Sequence, residues 1–243
     1  MTESLWTREH MYAGGRWVNL TGTPTEVEDP ATERPVGSVL HATAAETAQA
    51  VDCAHRAADS WMHTPAPVRR KLLHNLAQAL RDRTGLLIDT LVAEIGCPIG
   101  LAESSQFGQA MAVLDSYVEI LEHYEFEQRI ANTTVIKEPA GVVAAITPWN
   151  YPLYQLVNKV APALAAGCTV VAKPAELTPL SAFILADAVH EVGFPAGVFN
   201  LVPGTGAEVG TTLTRHPAVD VVSFTGSTGV GRHILQNTAH TIK

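Results

Sequence analysis

The sequence predicts an α/β protein: an open, doubly wound parallel sheet preceded by a mainly helical N-terminal segment. From Val142 onward, short and fully apolar β-branched runs alternate with stretches of helical length. That pattern marks parallel strands covered by helices on both faces. Before about residue 130, apolar residues recur at helical spacing instead. Of the 243 residues, 47% are hydrophobic and 16% charged, which supplies a sizeable core and argues against wholesale disorder.

Each element follows from its own residues. Thr43 is placed to cap a helix running through Trp61, with Glu46 three residues on as in a capping box. A second helix follows Pro67 and carries Leu72, Leu73, Leu76 and Leu80 on one stripe. A third covers Thr84 to Ile95 and stops at Gly96, and a fourth covers Leu101 to Tyr124. Their stripes read as core and their charges as solvated faces. Thr133 to Glu138 reads as an extended arm. The repeating part begins with a strand, Val142 to Ile146, followed by the breaker-rich TPWNYP (Thr147 to Pro152). A helix, Leu153 to Ala166, ends at Gly167. Then come a strand from Thr169 to Ala172, a helix from about Pro179 to Val192, and a strand from Val198 to Val202. A glycine turn leads to a helix ending near Arg215, a strand from Val219 to Phe224, a second glycine turn, and a last helix from about Thr228. The divisions are 1–127, helical; 128–141, arm; and 142–243, βα repeats.

Bulk properties remove several function classes. The formal net charge of −8 disfavours a phosphate backbone as partner, so no nucleic acid is expected. MTESLWTREHMYAGGRW has no apolar signal core, and no stretch has the length to span a bilayer. The three cysteines are scattered and form neither a metal spacing nor a disulfide framework, so a reducing cytoplasm fits best. The ten histidines show no zinc-like pairing, and no metal is expected.

Ligands of such sheets bind at the carboxyl ends of the strands. Four turns lie there. Gly204, Gly206 and Gly210 nearly match a dinucleotide fingerprint, and Gly226, Gly229 and Gly231 open a helix whose free N–H groups favour an anion. Either set alone also fits a βα turn with no ligand. Lys173 and Glu176 could hold a ribose, the carboxylate accepting from its hydroxyls and the lysine donating; the same spacing suits a surface ion pair. The carboxylate would repel a 2′-phosphate, which tilts the choice toward NAD without excluding NADP. Asn150 sits between Trp149 and Tyr151, bracketed by Pro148 and Pro152. Two prolines restrict the backbone around one amide that could donate to an oxyanion, although a turn asparagine bonding its own backbone has the same surroundings.

TPWNYP, KPAE with Thr178-Pro179 following, VPGTG and SFTGSTGVG occur in an order and spacing that resemble the aldehyde dehydrogenase superfamily. Met11 to Trp17 and Asp29 to Thr32 look like its opening strands, so the resemblance runs from about residue 10 to the end. It implies a Rossmann-like, NAD-dependent fold and the oxidation of an aldehyde to a carboxylic acid. By that resemblance Ile146, Thr147, Pro148 and Trp149 line the adenosine side, and Lys173 and Glu176 hold the adenine ribose. Gly206 and Gly210 form the wall near the adenine. Phe224, Thr225, Gly226 and Ser227 lie along the pyrophosphate and nicotinamide, and Val230 packs on the adenine. Asn150 donates one oxyanion hydrogen bond, and Leu153, Leu156 and Val157 suggest an apolar substrate lining. The segment from Asn132 to Glu138 resembles the strand of the family's oligomerisation sheet, which implies a homo-oligomer.

In the family a cysteine thiolate attacks the aldehyde and a glutamate activates water, the glutamate within a Glu-Leu-Gly-Gly-Lys motif. That motif is not found before Lys243, and Cys53, Cys97 and Cys168 all read as structural. The chain is therefore expected to be an incomplete NAD-binding domain, inactive alone and left with an open hydrophobic sheet edge. Two other readings stay open: a non-catalytic fragment that docks on a full-length subunit, which a pull-down would reveal, and a stand-alone nucleotide-binding module.

Overall fold

A computed structural model describes residues 6–241 and 243. Five strands come first: β1 (Trp6–Arg8), β2 (His10–Ala13), β3 (Arg16–Asn19), β4 (Pro24–Asp29) and β5 (Arg34–Leu40). The expected helical segment thus begins only after residue 40. Periodicity misses these strands because most of their residues are half-buried or exposed, which leaves no unbroken apolar run. Their turns are better signals. Gly14 and Gly15 join β2 to β3 with φ of +60° and +79°, a pair of values that favours glycine. Asp29 to Thr32 forms the end of β4 and the turn into β5, where the Asp29 carboxylate accepts from the Ala31 N–H at 2.8 Å.

The helices follow closely where expected. In α1 (Ala44–Met62) the Glu46 N–H donates to Thr43 Oγ1 at 3.3 Å while Glu46 Oε2 accepts from the Thr43 N–H at 2.7 Å, completing the capping box. α2 (Ala66–Arg81) starts one residue before Pro67, and α3 (Thr84–Ile95) ends at Gly96 with φ +70°. The fourth helix is less regular than its apolar spacing implies. α4 (Ile99–Leu101) passes into a π-helical stretch, Ala102–Gly108, before α5 (Gln109–His123). The arm is a hairpin of β6 (Glu127–Ile130) and β7 (Thr133–Ile136), exposed at every residue.

The remaining elements are β8 (Val142–Ile146), α6 (Pro152–Ala166), β9 (Thr169–Lys173), α7 (Leu180–Val192) and β10 (Phe199–Leu201). A π turn, Gly206–Gly210, leads into α8 (Thr211–Arg215), then β11 (Val221–Phe224) and α9 (Thr228–Thr238). The main sheet has the order β11-β8-β9-β10-β2-β3. Its first four strands are parallel, and the β2–β3 hairpin closes one edge in antiparallel pairing through Leu201 and Tyr12.

Alternation along these strands divides the core in two. Val143, Ala145, Val170, Ala172, Phe199 and Leu201 face a layer containing α6 and α7. Val142, Ala144, Ile146 and Val171 face the other way, onto Ala50, Val51 and Ala54 of α1 and Leu213 of α8. Helices on both faces are what makes the middle strands apolar throughout. Leu153, Leu156 and Val157 belong to the first core and are at most 1% exposed, so they pack the sheet rather than line a substrate cavity. Cys97 and Cys168 are buried as well, while Cys53 is half-buried and accepts a hydrogen bond from Arg56 Nη2 at 3.2 Å. Among the described residues no helix is long and apolar enough to cross a membrane.

The layers are also tied by a buried acid. Glu94, in α3, accepts from the backbone N–H groups of Leu180 and Ser181 at 2.7 and 3.2 Å, so it caps α7 from another helix. Burial pushes its pKa up to about 7.

Candidate functional site

The strand order reverses at β8. The chain lays β9 and then β10 on one side of it and returns to place β11 on the other. The carboxyl ends of β8 and β11 therefore diverge into separate connections, leaving a crevice between them. A cleft of about 540 Å³ opens there, within the range of small-molecule sites, roughly 300–1,000 Å³.

The turns expected to carry chemistry meet in this cleft. Ile146, Thr147, Pro148, Trp149 and Asn150 arrive from β8, and Lys173 and Glu176 from β9. Phe224, Thr225, Gly226, Ser227 and Val230 come from β11 and α9, and Gly206 from the turn after β10. Gly210 is the exception. It is buried behind the wall, where an added Cβ would stand 3.9 Å from Lys173 Cδ, an ordinary packing distance. A Cβ on Gly206 would meet nothing within 4 Å, whereas one on Gly204 would lie 2.5 Å from Val209 Cγ2. Gly204 thus shapes the turn, and Gly206 leaves an open wall.

Lys173 is no surface residue. It is 2% exposed, and its Nζ donates to the Pro174 carbonyl at 2.9 Å and lies 3.4 Å from Glu176 Oε2. Burial lowers the ammonium's pKa, and the Glu176 carboxylate works against that fall. The Glu176 side chain is 42% exposed. The result is one cation sunk beneath the cleft floor with one carboxylate reaching into it. Thr147 Oγ1 is buried and has no hydrogen-bond partner among the described residues, an unmet polar group in a residue that lines the cleft.

On the opposite wall Ser227 caps α9, its Oγ accepting from the Val230 N–H at 3.3 Å. Val230 is half exposed, an apolar surface at the cleft mouth. Asn150 is exposed at the rim, and its main-chain carbonyl accepts from Gln106 Nε2 at 2.9 Å. The Trp149 carbonyl accepts from Thr178 Oγ1 at 2.9 Å.

Sequence reasoning missed Ala175 and Leu177 on the wall, and Gln106, Thr178 and Lys159 behind it. Lys159 had a signal. It is the lone charge in the fifteen residues of α6, set between Leu156 and Val160 of a buried stripe. It is itself buried, its Nζ donates to Thr225 Oγ1 at 2.7 Å, and burial lowers its pKa. Gln106 had none, because nothing in the sequence marks the π turn that carries it.

A doubly wound sheet with strand-end turns converging at its switch point is the architecture of the nucleotide-binding α/β proteins. Comparison narrows this. The chain belongs to the aldehyde dehydrogenase family, whose profile matches residues 17–243. A 3-succinoylsemialdehyde-pyridine dehydrogenase of Pseudomonas sp. is 44% identical over 234 residues, covering 96% of this chain and 49% of that protein. Among solved structures, a mutant aldehyde dehydrogenase of Pseudomonas syringae in complex with NAD+ and octanal matches with a TM-score of 0.95. It is 40% identical, and the match covers 97% of this chain and 49% of that one. A betaine aldehyde dehydrogenase of Staphylococcus aureus in complex with NAD+ matches with a TM-score of 0.91 at 32% identity, over 96% and 48% of the two chains. The chain spans about half the length of the curated relatives it matches.

Proposed function

We propose that this chain carries the NAD site and an oxyanion donor of an enzyme that oxidises an aldehyde to a carboxylic acid. The convergence of Lys173, Glu176, Gly206, Ser227 and Asn150 on one switch-point cleft carries the reading. The residues fit a dinucleotide. A buried ammonium beside a half-exposed carboxylate suits the paired hydroxyls of a ribose, and Thr147 Oγ1 lacks a partner. Glu176 accepts from the ribose hydroxyls and disfavours a 2′-phosphate, which selects NAD over NADP. Ile146, Thr147, Pro148 and Trp149 wall the adenosine side, and Val230 offers its half-exposed side chain to the adenine. Gly226 and Ser227, at the N-terminus of α9, face the pyrophosphate, where helix N–H groups and dipole favour negative charge. Phe224 and Thr225 line the path toward the nicotinamide. Bound NAD supplies the hydride acceptor. Asn150 turns its amide to the oxygen on which charge develops, a contact that typically supplies about 3 kcal/mol to a transition state.

The relatives named above support the same assignment, since two of the solved structures hold NAD+. The protein is read as cytoplasmic and homo-oligomeric, with the exposed Ile130 and Ile136 of the β6–β7 hairpin meeting another subunit. Cys53, Cys97 and Cys168 all lie away from the cleft, so the chain supplies the cofactor site and oxyanion donor without a thiolate nucleophile.

Titration calorimetry with NAD and NADP tests this. NAD should bind at least 10-fold more tightly than NADP, and Glu176→Gln should narrow that ratio. Lys173→Met should weaken NAD about 10–100-fold, the scale of a lost hydrogen bond to a charged group. No heat with either dinucleotide at millimolar concentration would remove the proposal. NADH formation by the purified chain with any aldehyde would overturn the statement about the nucleophile.

A further inference from the structure

The loop that carries Asn150 presents a mechanical problem. Asn150 and Trp149 are both exposed, so their own side chains anchor the loop little. Pro148 and Pro152 restrict the residues on either side, but neither fixes the two bonds at the Asn150 α-carbon. Those bonds set the direction of Cβ, the base from which the amide projects.

Two buried side chains from separate elements act on those bonds. Thr178, 2% exposed in the segment between β9 and α7, donates from Oγ1 to the Trp149 carbonyl at 2.9 Å. Gln106, 1% exposed in the π-helical stretch, donates from Nε2 to the Asn150 carbonyl at 2.9 Å. The Trp149 carbonyl lies in the peptide plane before the Asn150 α-carbon, and the Asn150 carbonyl in the plane after it. Holding both planes fixes the φ and ψ between them.

We infer that Gln106 and Thr178 are positioning residues that aim Asn150 by clamping the two peptide planes that meet at it. The inference rests on Asn150 being the oxyanion donor proposed above. Gln106 Oε1 is buried without a partner among the described residues. An unpaired buried acceptor is destabilising, so packing alone gives no reason for glutamine here over an apolar side chain of similar length. The π helix offers a second reason. Such segments are frequent at functional sites, and this one carries the donor. A site held by groups that are themselves buried on rigid elements is the arrangement that oxyanion donation requires.

The test is ¹⁵N relaxation of the full chain, read at the backbone amides of Trp149, Asn150 and Tyr151. Gln106→Met removes the donor and the unpaired acceptor together, Thr178→Val removes the hydroxyl, and Thr178→Ser keeps it. Order parameters at these positions should stand near about 0.85 in the parent and in Thr178→Ser, and fall below about 0.6 in Gln106→Met and Thr178→Val. Elsewhere they should not change, and the Tm of Gln106→Met should not fall. Parent-like order at Asn150 in both donor-less variants would overturn the clamp, as would loosening across the whole chain with a lower Tm. The readout needs neither cofactor nor turnover. Failure of NAD binding with the local loosening intact would sink the proposed function and leave the clamp standing.

Discussion

β8 and β11 are neighbours in one sheet, paired residue by residue from Val142's neighbour Val143 with Val221 to Ile146 with Phe224. Both are short apolar runs followed by a turn and a helix. Yet β8 is buried at every residue, and β11 is buried at none. The same contrast holds for the helices that follow: α6 buries ten of its residues and α9 only Asn237. Chain composition does not make this difference. β8 has a strand on each side and helices on both faces, while β11 has β8 alone among the described residues. The cleft lies between the two, so one wall is a packed core and the other stands open. Local stability follows buried contacts, so the first wall should open only with global unfolding and the second far more readily.

The largest expected effect separates the two walls directly. Leu156 of α6 is fully buried, and Leu235 of α9 is 71% exposed. Leu156→Ala should cost about 2–5 kcal/mol through lost burial and the cavity left behind, and Leu235→Ala no more than about 0.5 kcal/mol. Denaturant unfolding of both variants measures the contrast. A comparable loss for Leu235→Ala would show α9 packed against something in solution and break the comparison.

A slightly smaller effect belongs to the packed side alone. Glu94 has its folded-state pKa raised from 4.5 to about 7 by burial, so the folded chain holds that proton more tightly than the unfolded one. The contribution is full below about pH 4.5 and is lost as pH rises through about 7. The shift corresponds to roughly 3 kcal/mol at about 1.4 kcal/mol per unit. Glu94→Gln keeps a carbonyl acceptor for the N-terminus of α7 and cannot ionise. The stability of the parent minus that of the variant should therefore fall across pH 4.5 to 7. A difference that stays level over that range would show the carboxyl to be solvated.

The βα repeats were legible because burial on both faces leaves an unbroken apolar run, as in β8 and β9, and because glycines mark helix ends, as at Gly96 and Gly167. The cleft was legible because its residues come from four strand ends, and ligands of parallel α/β sheets bind at the carboxyl ends of the strands. What the sequence hid lies beyond local pattern. Strands β1 to β5 are mostly half-buried or exposed, so no unbroken apolar run marks them, and their pairing joins distant segments, as in β2 with β10. The burial of Lys173 is set by tertiary packing, which the spacing of Lys173 and Glu176 alone does not reveal. Gln106 reaches Asn150 only through the π turn, which no residue preference announces.

The smallest effect uses one chemistry twice. Thr43 caps α1 and Ser227 caps α9, each hydroxyl accepting from an N–H three residues on at 3.3 Å. Replacing either by alanine should remove about 1 kcal/mol from its helix. The readout should differ, because α1 packs on the sheet through Ala50, Val51 and Ala54 and cannot loosen without it. Thr43→Ala should lower global stability by that amount. Ser227→Ala should leave the global value nearly unchanged and speed hydrogen exchange in residues 228–238 about 5-fold, the equivalent of about 1 kcal/mol of local opening. NAD should then slow that exchange if α9 presents its N-terminus to the pyrophosphate, since a ligand stabilises whatever it binds. Equal global losses from the two caps would mean that α9 unfolds only with the rest, and that the cleft has two rigid walls.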